Sequence, residues 1–132
     1  MKRHLGGIKI VVKDYDEAIS YYTKSLGFII IEDFKIDDTK RWVVLAPTQE
    51  SETRLILGKA TNEAQKLAIG NQTGGRVFLF LHTDDFWRDY NSMKGKGVVF
   101  KEEPREEPYG TVVVFEDLYG NTWDLIERNS SN

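Results

Sequence analysis

The stretch "GIKIVVKDYDEAISYYTKSLGF", Gly7 to Phe28, decides how the rest of the chain is read. Its first six residues, GIKIVV, are rich in β-branched side chains and read as a strand. Acids then crowd together at Asp14, Asp16 and Glu17. Ala18, Ile19, Tyr22 and Leu26 recur at helical spacing, and Gly27 follows the last of them. Carboxylates suit the positive end of a helix dipole, and a glycine just past the last turn is a common stop, so a helix follows the strand. "FIIIEDF" (28–34), "RWVVLAP" (41–47) and "TRLILGK" (53–59) then read as three strands, parted by polar or proline-bearing loops.

The same programme occurs a second time. "RVFLFLHT" (76–83) reads as a strand and "DDFWRDYNSMKGKG" (84–97) as a helix closed by glycines. "VVFKEEP" (98–104), "TVVVFED" (111–117) and "TWDLIE" (122–127) read as three further strands. Sliding the halves over each other by 69 residues matches Asp16 with Asp85, Tyr21 with Tyr90 and Thr53 with Thr122, and lays TRLILG on TWDLIE. A βαβββ unit used twice accounts for nearly the whole chain. The intervening "KATNEAQKLAIGNQTGG" (59–75) is polar, ends in turn residues and reads as a linker with room for one helical turn. The expected fold is α+β: one domain over residues 1–132, with module one at about 6–60, a linker at about 61–74 and module two at about 75–128. A four-stranded sheet covered on one face by a helix needs a partner for the other. Two modules, or two chains, are therefore expected to form a cup around a ligand cavity, with a homodimer as the expected assembly.

Composition narrows the function classes. With 40% hydrophobic and 30% charged residues, the 132-residue chain is of ordinary globular make-up, not disordered. A net charge of −3 with dispersed Lys and Arg gives no electrostatic reason to expect nucleic acid. The lack of cysteine excludes disulfides, thiolate metal sites and a cysteine nucleophile. The N-terminal "MKRHLGGIKIVV" is too short and broken in its apolar part for a signal peptide, and no run approaches the ~18 apolar residues of a membrane span. The default is a cytoplasmic protein with no membrane partner.

Two stretches, "VVKDYDEAISYYTKSLGF" (11–28) and "VVFEDLYGNTWDLIE" (113–127), resemble the vicinal oxygen chelate superfamily. That superfamily includes glyoxalase I, bleomycin-resistance proteins, fosfomycin-resistance enzymes and extradiol dioxygenases. The first stretch is similar to the family's first strand and helix, the second to its Asp-x-x-Gly-Asn turn and last strand. The resemblance covers about residues 6 to 128 and implies the paired βαβββ fold. Activity does not follow, because the scaffold hosts many chemistries. The longer strings "GNQTGGRVFLFLHTDDF" and "EEPYGTVVVFEDLYGN" are similar to an uncharacterised glyoxalase-like subgroup.

Metal-dependent members place a ligand on the first and on the last strand of each unit. The resemblance puts these positions at Gly7, at Leu55 (or Leu57 if the register slips by two), and, 69 residues on, at Arg76 and Asp124. Only Asp124 can ligate a transition metal there. No metal site and no cofactor is expected, a divalent ion being the disfavoured alternative. His4 falls on the opposite strand face from Gly7, in a terminal segment, and reads as a surface histidine.

The expected ligand-binding residues are Arg76, Asp124, Leu55, Phe78, Phe80, His82, Trp42 and Tyr109. Arg76 and Asp124 are expected to face each other as an ion pair. That pair either fixes the sheet or leaves guanidinium donors for an anionic or carbonyl-bearing ligand. Leu55 and Gly7 would form an apolar wall. His82, on the same strand face as Phe78 and Phe80, is either a strand-end histidine bonded to a loop or a proton-transfer group at the cavity rim. Trp42 and Tyr109 are expected at a pocket mouth, Trp123 and Tyr119 in core or loops. Glu102, Glu103, Glu106 and Glu107 read as a solvated charged loop. The catalytic residues stay unassigned. The first functional expectation is a metal-independent binder of a small molecule, like the sequestering bleomycin-resistance proteins. The alternatives are a metal-dependent lyase, isomerase or dioxygenase-type enzyme with an unusual site, and a dimeric scaffold without a ligand.

Overall fold

The computed structural model describes residues 1–130, and the chain forms two compact units, Met1–Ile69 and the residues from Gly70 onward. The boundary falls inside the segment expected to be a linker. The first unit has a βαβββ core, and the second adds one short strand to the same plan.

In the first unit, β1 (Gly7–Val12) leads into α1 (Tyr15–Lys24), followed by β2 (Ile29–Lys35), β3 (Arg41–Ala46) and β4 (Arg54–Lys59). The helix starts at Asp14, whose backbone is extended and whose Oδ2 accepts the Glu17 N–H at 2.8 Å. Satisfying an orphan donor in this way is what makes aspartate a good N-cap. Past the helix, Gly27 adopts φ +73° and the chain turns back into the sheet. The sheet order is β1-β4-β3-β2, with β1 parallel to β4 and the other pairs antiparallel. Ile10, Leu57 and Val43 stand in one row across it, each no more than 1% exposed, on the face where α1 buries Tyr15, Ala18 and Tyr22. The next row, Lys9, Ile56 and Val44, points to the opposite face, which no helix of the module's crossover covers. We call this the open face. After β4 a short helix, α2 (Glu63–Ala68), is capped by Asn62, whose side chain accepts the Gln65 N–H at 2.8 Å.

The second unit repeats the plan with β5 (Leu79–His82), α3 (Phe86–Gly95), β6 (Val99–Phe100), β7 (Arg105–Glu107), β8 (Gly110–Glu116) and β9 (Thr122–Arg128). Strand order is β5-β9-β8-β6, and β7 also pairs with β8. Asp85 caps α3 by accepting the Arg88 N–H, and Glu127 Oε1 accepts the Phe86 N–H at 2.7 Å. Phe86, Tyr90, Phe100, Phe115 and Trp123 form a chain of ring contacts between helix and sheet. The turn after β8 is built on Asp117, only 5% exposed. Its carboxylate accepts from Tyr119 N, Asn121 N, Asn121 Nδ2 and Trp123 Nε1 at 3.0–3.2 Å. The Asp-x-x-Gly-Asn motif is thus a hydrogen-bonded clamp that sets the start of β9.

Several expectations need correcting. β5 begins at Leu79, three residues later than the sequence suggests, so Arg76 lies in the bend before it. The charged segment around Glu106 and Glu107 is not all loop. It forms β7, where Arg105 is paired with Glu102 and Glu107, and Glu106 accepts from Thr111. The repeat offset is not a single number. The N-caps Asp14 and Asp85 are 71 apart, whereas the pairings Lys9–Ile56 and Phe80–Asp124 place Ile56 and Asp124 in equivalent positions, 68 apart. The second module is three residues shorter between its helix and its last strand.

Candidate functional site

That difference decides which residues share the site. A one-residue slip in a strand reverses every side chain. The position equivalent to Asp124 is therefore Ile56, not Leu55, and Leu55 is 5% exposed on the helix-covered face. Leu55 belongs to the core and not to a ligand wall. Seven residues before each N-cap lie Gly7 and Phe78, so the position equivalent to Gly7 is Phe78, not Arg76. Space at Gly7 is already filled: a Cβ there would lie 2.6 Å from Ile56 Cδ1.

Arg76 is exposed, and no ion pair or hydrogen bond joins its side chain to Asp124. It contributes through its backbone, where its carbonyl accepts from Thr73 and from Thr122 Oγ1. The expected Arg76–Asp124 pair is absent among the described residues. Phe78 is half-buried ahead of β5, its N–H donating to Thr122 O at 2.7 Å.

Asp124 does point to the open face of the second unit. Its row neighbours are Phe80 on β5 and Val114 on β8, and the next row is His82, Ile126 and Val112. Phe80, His82, Asp124, Ile126 and Arg128 join Tyr109 around a cavity of about 290 Å³. Tyr109 is held in place by its own backbone: its carbonyl accepts the Asn129 N–H at 2.8 Å, and the Arg128 guanidinium lies 5.9 Å from its ring centroid. Gly110 makes this approach possible, since a Cβ there would come within 2.2 Å of Glu127 O. Ile126 and Arg128 were not among the residues expected here. Period-two alternation from Asp124 would have found both.

The carboxylate of Asp124 is the unusual group. Its Oδ1 is sealed from solvent and has no hydrogen-bond partner, although the residue as a whole is half-buried. Burial pushes its pKa above the ordinary carboxylate range, Arg105 pulls it back in part, and Glu102 adds to the rise. An unmet acceptor lining a cavity is suited to a ligand that brings a donor. It is poorly suited to a metal on its own. The four equivalent positions hold Gly7, Ile56, Phe78 and Asp124, one oxygen donor among three residues with none, and no cluster of three His, Asp or Glu residues among the described residues could hold an ion. Trp42 is on the open face of the other unit, lining a separate cavity with Lys9 above its ring.

Paired βαβββ modules, the Asp117 clamp and a side-chain cavity on the open sheet face define a glyoxalase-like protein. A family model described as the Glyoxalase/Bleomycin resistance protein/Dioxygenase superfamily matches residues 4–125, and the chain belongs to that superfamily. It is 53% identical over 130 residues to an uncharacterized protein of Shewanella frigidimarina (strain NCIMB 400), covering 98% of this chain and 96% of that one. Among solved structures it is similar to UcmS2, with a TM-score of 0.82, 30% identity and coverage of 96% of this chain and 98% of the other. It is also similar to TnmS3, an antibiotic binding protein from Streptomyces sp. CB03234, with a TM-score of 0.77, 25% identity and coverage of 97% and 98%. No helix among the described residues is long and apolar enough to cross a membrane.

Proposed function

We propose that this protein binds a small organic molecule on the open face of its second unit and does so without a metal. The carrying observation is the buried, unpartnered Oδ1 of Asp124 in a cavity walled by Phe80, Tyr109 and Ile126. Aromatic walls with an unmet acceptor at Asp124, beside His82 and Arg128, suit a planar ligand that presents a hydroxyl or N–H donor. Such a ligand differs from the anionic one that an Arg76 facing Asp124 would imply. Carbonyl recognition is left to the protonated form of Asp124, which can donate. The antibiotic-binding relative TnmS3 supports a binding role rather than a turnover role. A metal-dependent lyase, isomerase or dioxygenase would need donors that Gly7, Ile56 and Phe78 do not offer.

The protein works as a homodimer in this reading, because Phe34 and Phe80 on the open faces are 53% and 59% exposed. Sedimentation equilibrium should give twice the monomer mass. Binding is tested by calorimetry with 2-naphthol against 2-methoxynaphthalene, which lacks the donor. The expected result is that naphthol binds at least about tenfold more tightly, and that Asp124→Ala removes the difference. Equal affinity for the two compounds would defeat the proposal.

A further inference from the structure

The first unit carries a cavity of about 520 Å³ at the end of its sheet, beside the β2–β3 hairpin and α2. Its chemistry is opposite to that around Asp124. Trp42 forms part of the wall, with Lys9 Nζ 5.8 Å from its ring centroid. Lys40 and Lys59 line the same space. Among the described residues, none of these three ammonium groups forms an ion pair or hydrogen bond with a carboxylate.

Five acids lie nearby: Asp14 and Asp38 line the adjoining space with Lys40 and Lys59, Asp14 capping α1 and Asp38 standing 3.7 Å from Lys35. Asp37, the one carboxylate in the lining, accepts from Thr39 N, Thr39 Oγ1 and Lys40 N at 2.9–3.2 Å. Asp33 and Asp16 are both held by Arg41, at 2.8 Å each. Lys40 lies in the field of Asp37, which leaves Lys9 and Lys59 as the ammonium groups beside the tryptophan that no carboxylate in the lining engages.

Gly58 shows that the arrangement has a steric requirement. It sits inside β4 with no positive φ, so the backbone does not demand glycine. A Cβ there would lie 3.0 Å from Lys9 Cδ. Glycine in a strand interior weakens the strand and marks a close approach. Here it leaves room for the Lys9 stem to cross the sheet toward Trp42. Gln65 on α2 adds a neutral donor: its Oε1 is taken by Thr61 N and Oγ1, leaving the amide N–H groups for a ligand.

We propose that this cavity is a second binding site, selective for a planar aromatic carboxylate. The ring stacks against Trp42, and the carboxylate is received by Lys9 and Lys59, with Lys40 at the rim. The site uses residues of the first unit alone and stands or falls independently of the Asp124 cavity.

The test is a ¹⁵N-resolved NMR titration of the full chain with 2-naphthoate and, in parallel, with uncharged 2-naphthamide. Naphthoate is expected to shift the amides of Lys9, Trp42, Gly58 and Lys59 and to bind about tenfold or more tightly than the amide. The Lys9→Gln/Lys59→Gln double variant should lose that preference while keeping the dispersed amide spectrum and thermal unfolding midpoint of the wild type, which report a folded protein. Raising ionic strength should weaken naphthoate binding and not naphthamide binding. Equal affinity of acid and amide, naphthoate shifts confined to the second unit, or no shift up to the solubility limit would each overturn the proposal.

Discussion

Replacing Asp124 by asparagine should make the protein more stable at neutral pH. Asn is nearly isosteric with Asp, so packing against Phe80, Val114 and Ile126 is kept, while the charge beside the sealed Oδ1 is removed. An unsatisfied buried polar group costs about 1–3 kcal/mol, and more when charged. Asparagine keeps a polar atom at the sealed position, so only the charged part of that penalty is relieved; with Asp124 half-buried the expected gain is up to about 1 kcal/mol. For a domain of this size that corresponds to a rise in Tm of up to about 4 °C.

The pH dependence carries a sign. Folding raises the Asp124 pKa, so the native state holds this proton more tightly than the unfolded chain does. Its contribution is most favourable below the unfolded carboxyl pKa and is lost as pH rises through the folded value. The advantage of Asp124→Asn should therefore be full at pH 7 and shrink as acid protonates the wild-type carboxyl, which does what the substitution does. Thermal unfolding of both proteins by circular dichroism, from pH 7 down toward pH 4, measures the difference directly. A lower Tm for Asp124→Asn at pH 7, or a gain that does not change with pH, would refute the reasoning. A carboxylate kept at a cost to stability is what a binding site would retain.

Two further predictions follow from the geometry. Asp117→Ala removes the acceptor for buried Asn121 and Trp123 donors and should cost about 3–5 kcal/mol. Urea unfolding followed by tryptophan fluorescence would show it as a lower midpoint, and a loss below 1 kcal/mol would contradict the clamp. Arg76→Leu should change stability by no more than about 0.5 kcal/mol, as at other exposed positions without a partner. A loss of several kcal/mol would mean that Arg76 is, after all, paired with a buried acid.

Where the sequence was legible, the reason was periodicity and capping. Gly7–Phe28 declares its strand, its Asp14 cap and its Gly27 stop in order, and the second half repeats them closely enough for the βαβββ plan to be read twice. The site is only partly legible, because the modules differ in length and no single repeat offset relates them. A repeat match of 69 fits neither the 71 between the helix caps nor the 68 between the last strands. In a strand, an error of one residue exchanges a core leucine for the open-face Ile56. An error of two exchanges Phe78 for Arg76, farther from the strand start at Leu79. Asp124, Phe80 and His82 are legible without any offset, because the alternation within their own strands places them on the open face. β7 was hidden by composition: Arg-Glu-Glu has little strand propensity and is paired through β8 and its ion pairs with Arg105. The lysine cavity was not legible either, because Lys9, Lys40 and Lys59 are dispersed in sequence and converge only through the sheet and its hairpin.

The measurement that bears most directly on the central claim is a calorimetric titration of 2-naphthol into the protein before and after exhaustive chelation. Metal-independent binding at the Asp124 cavity predicts the same Kd and stoichiometry in both. Binding that vanishes on chelation and returns with added zinc, nickel, manganese or iron would contradict it and make Asp124 a metal ligand.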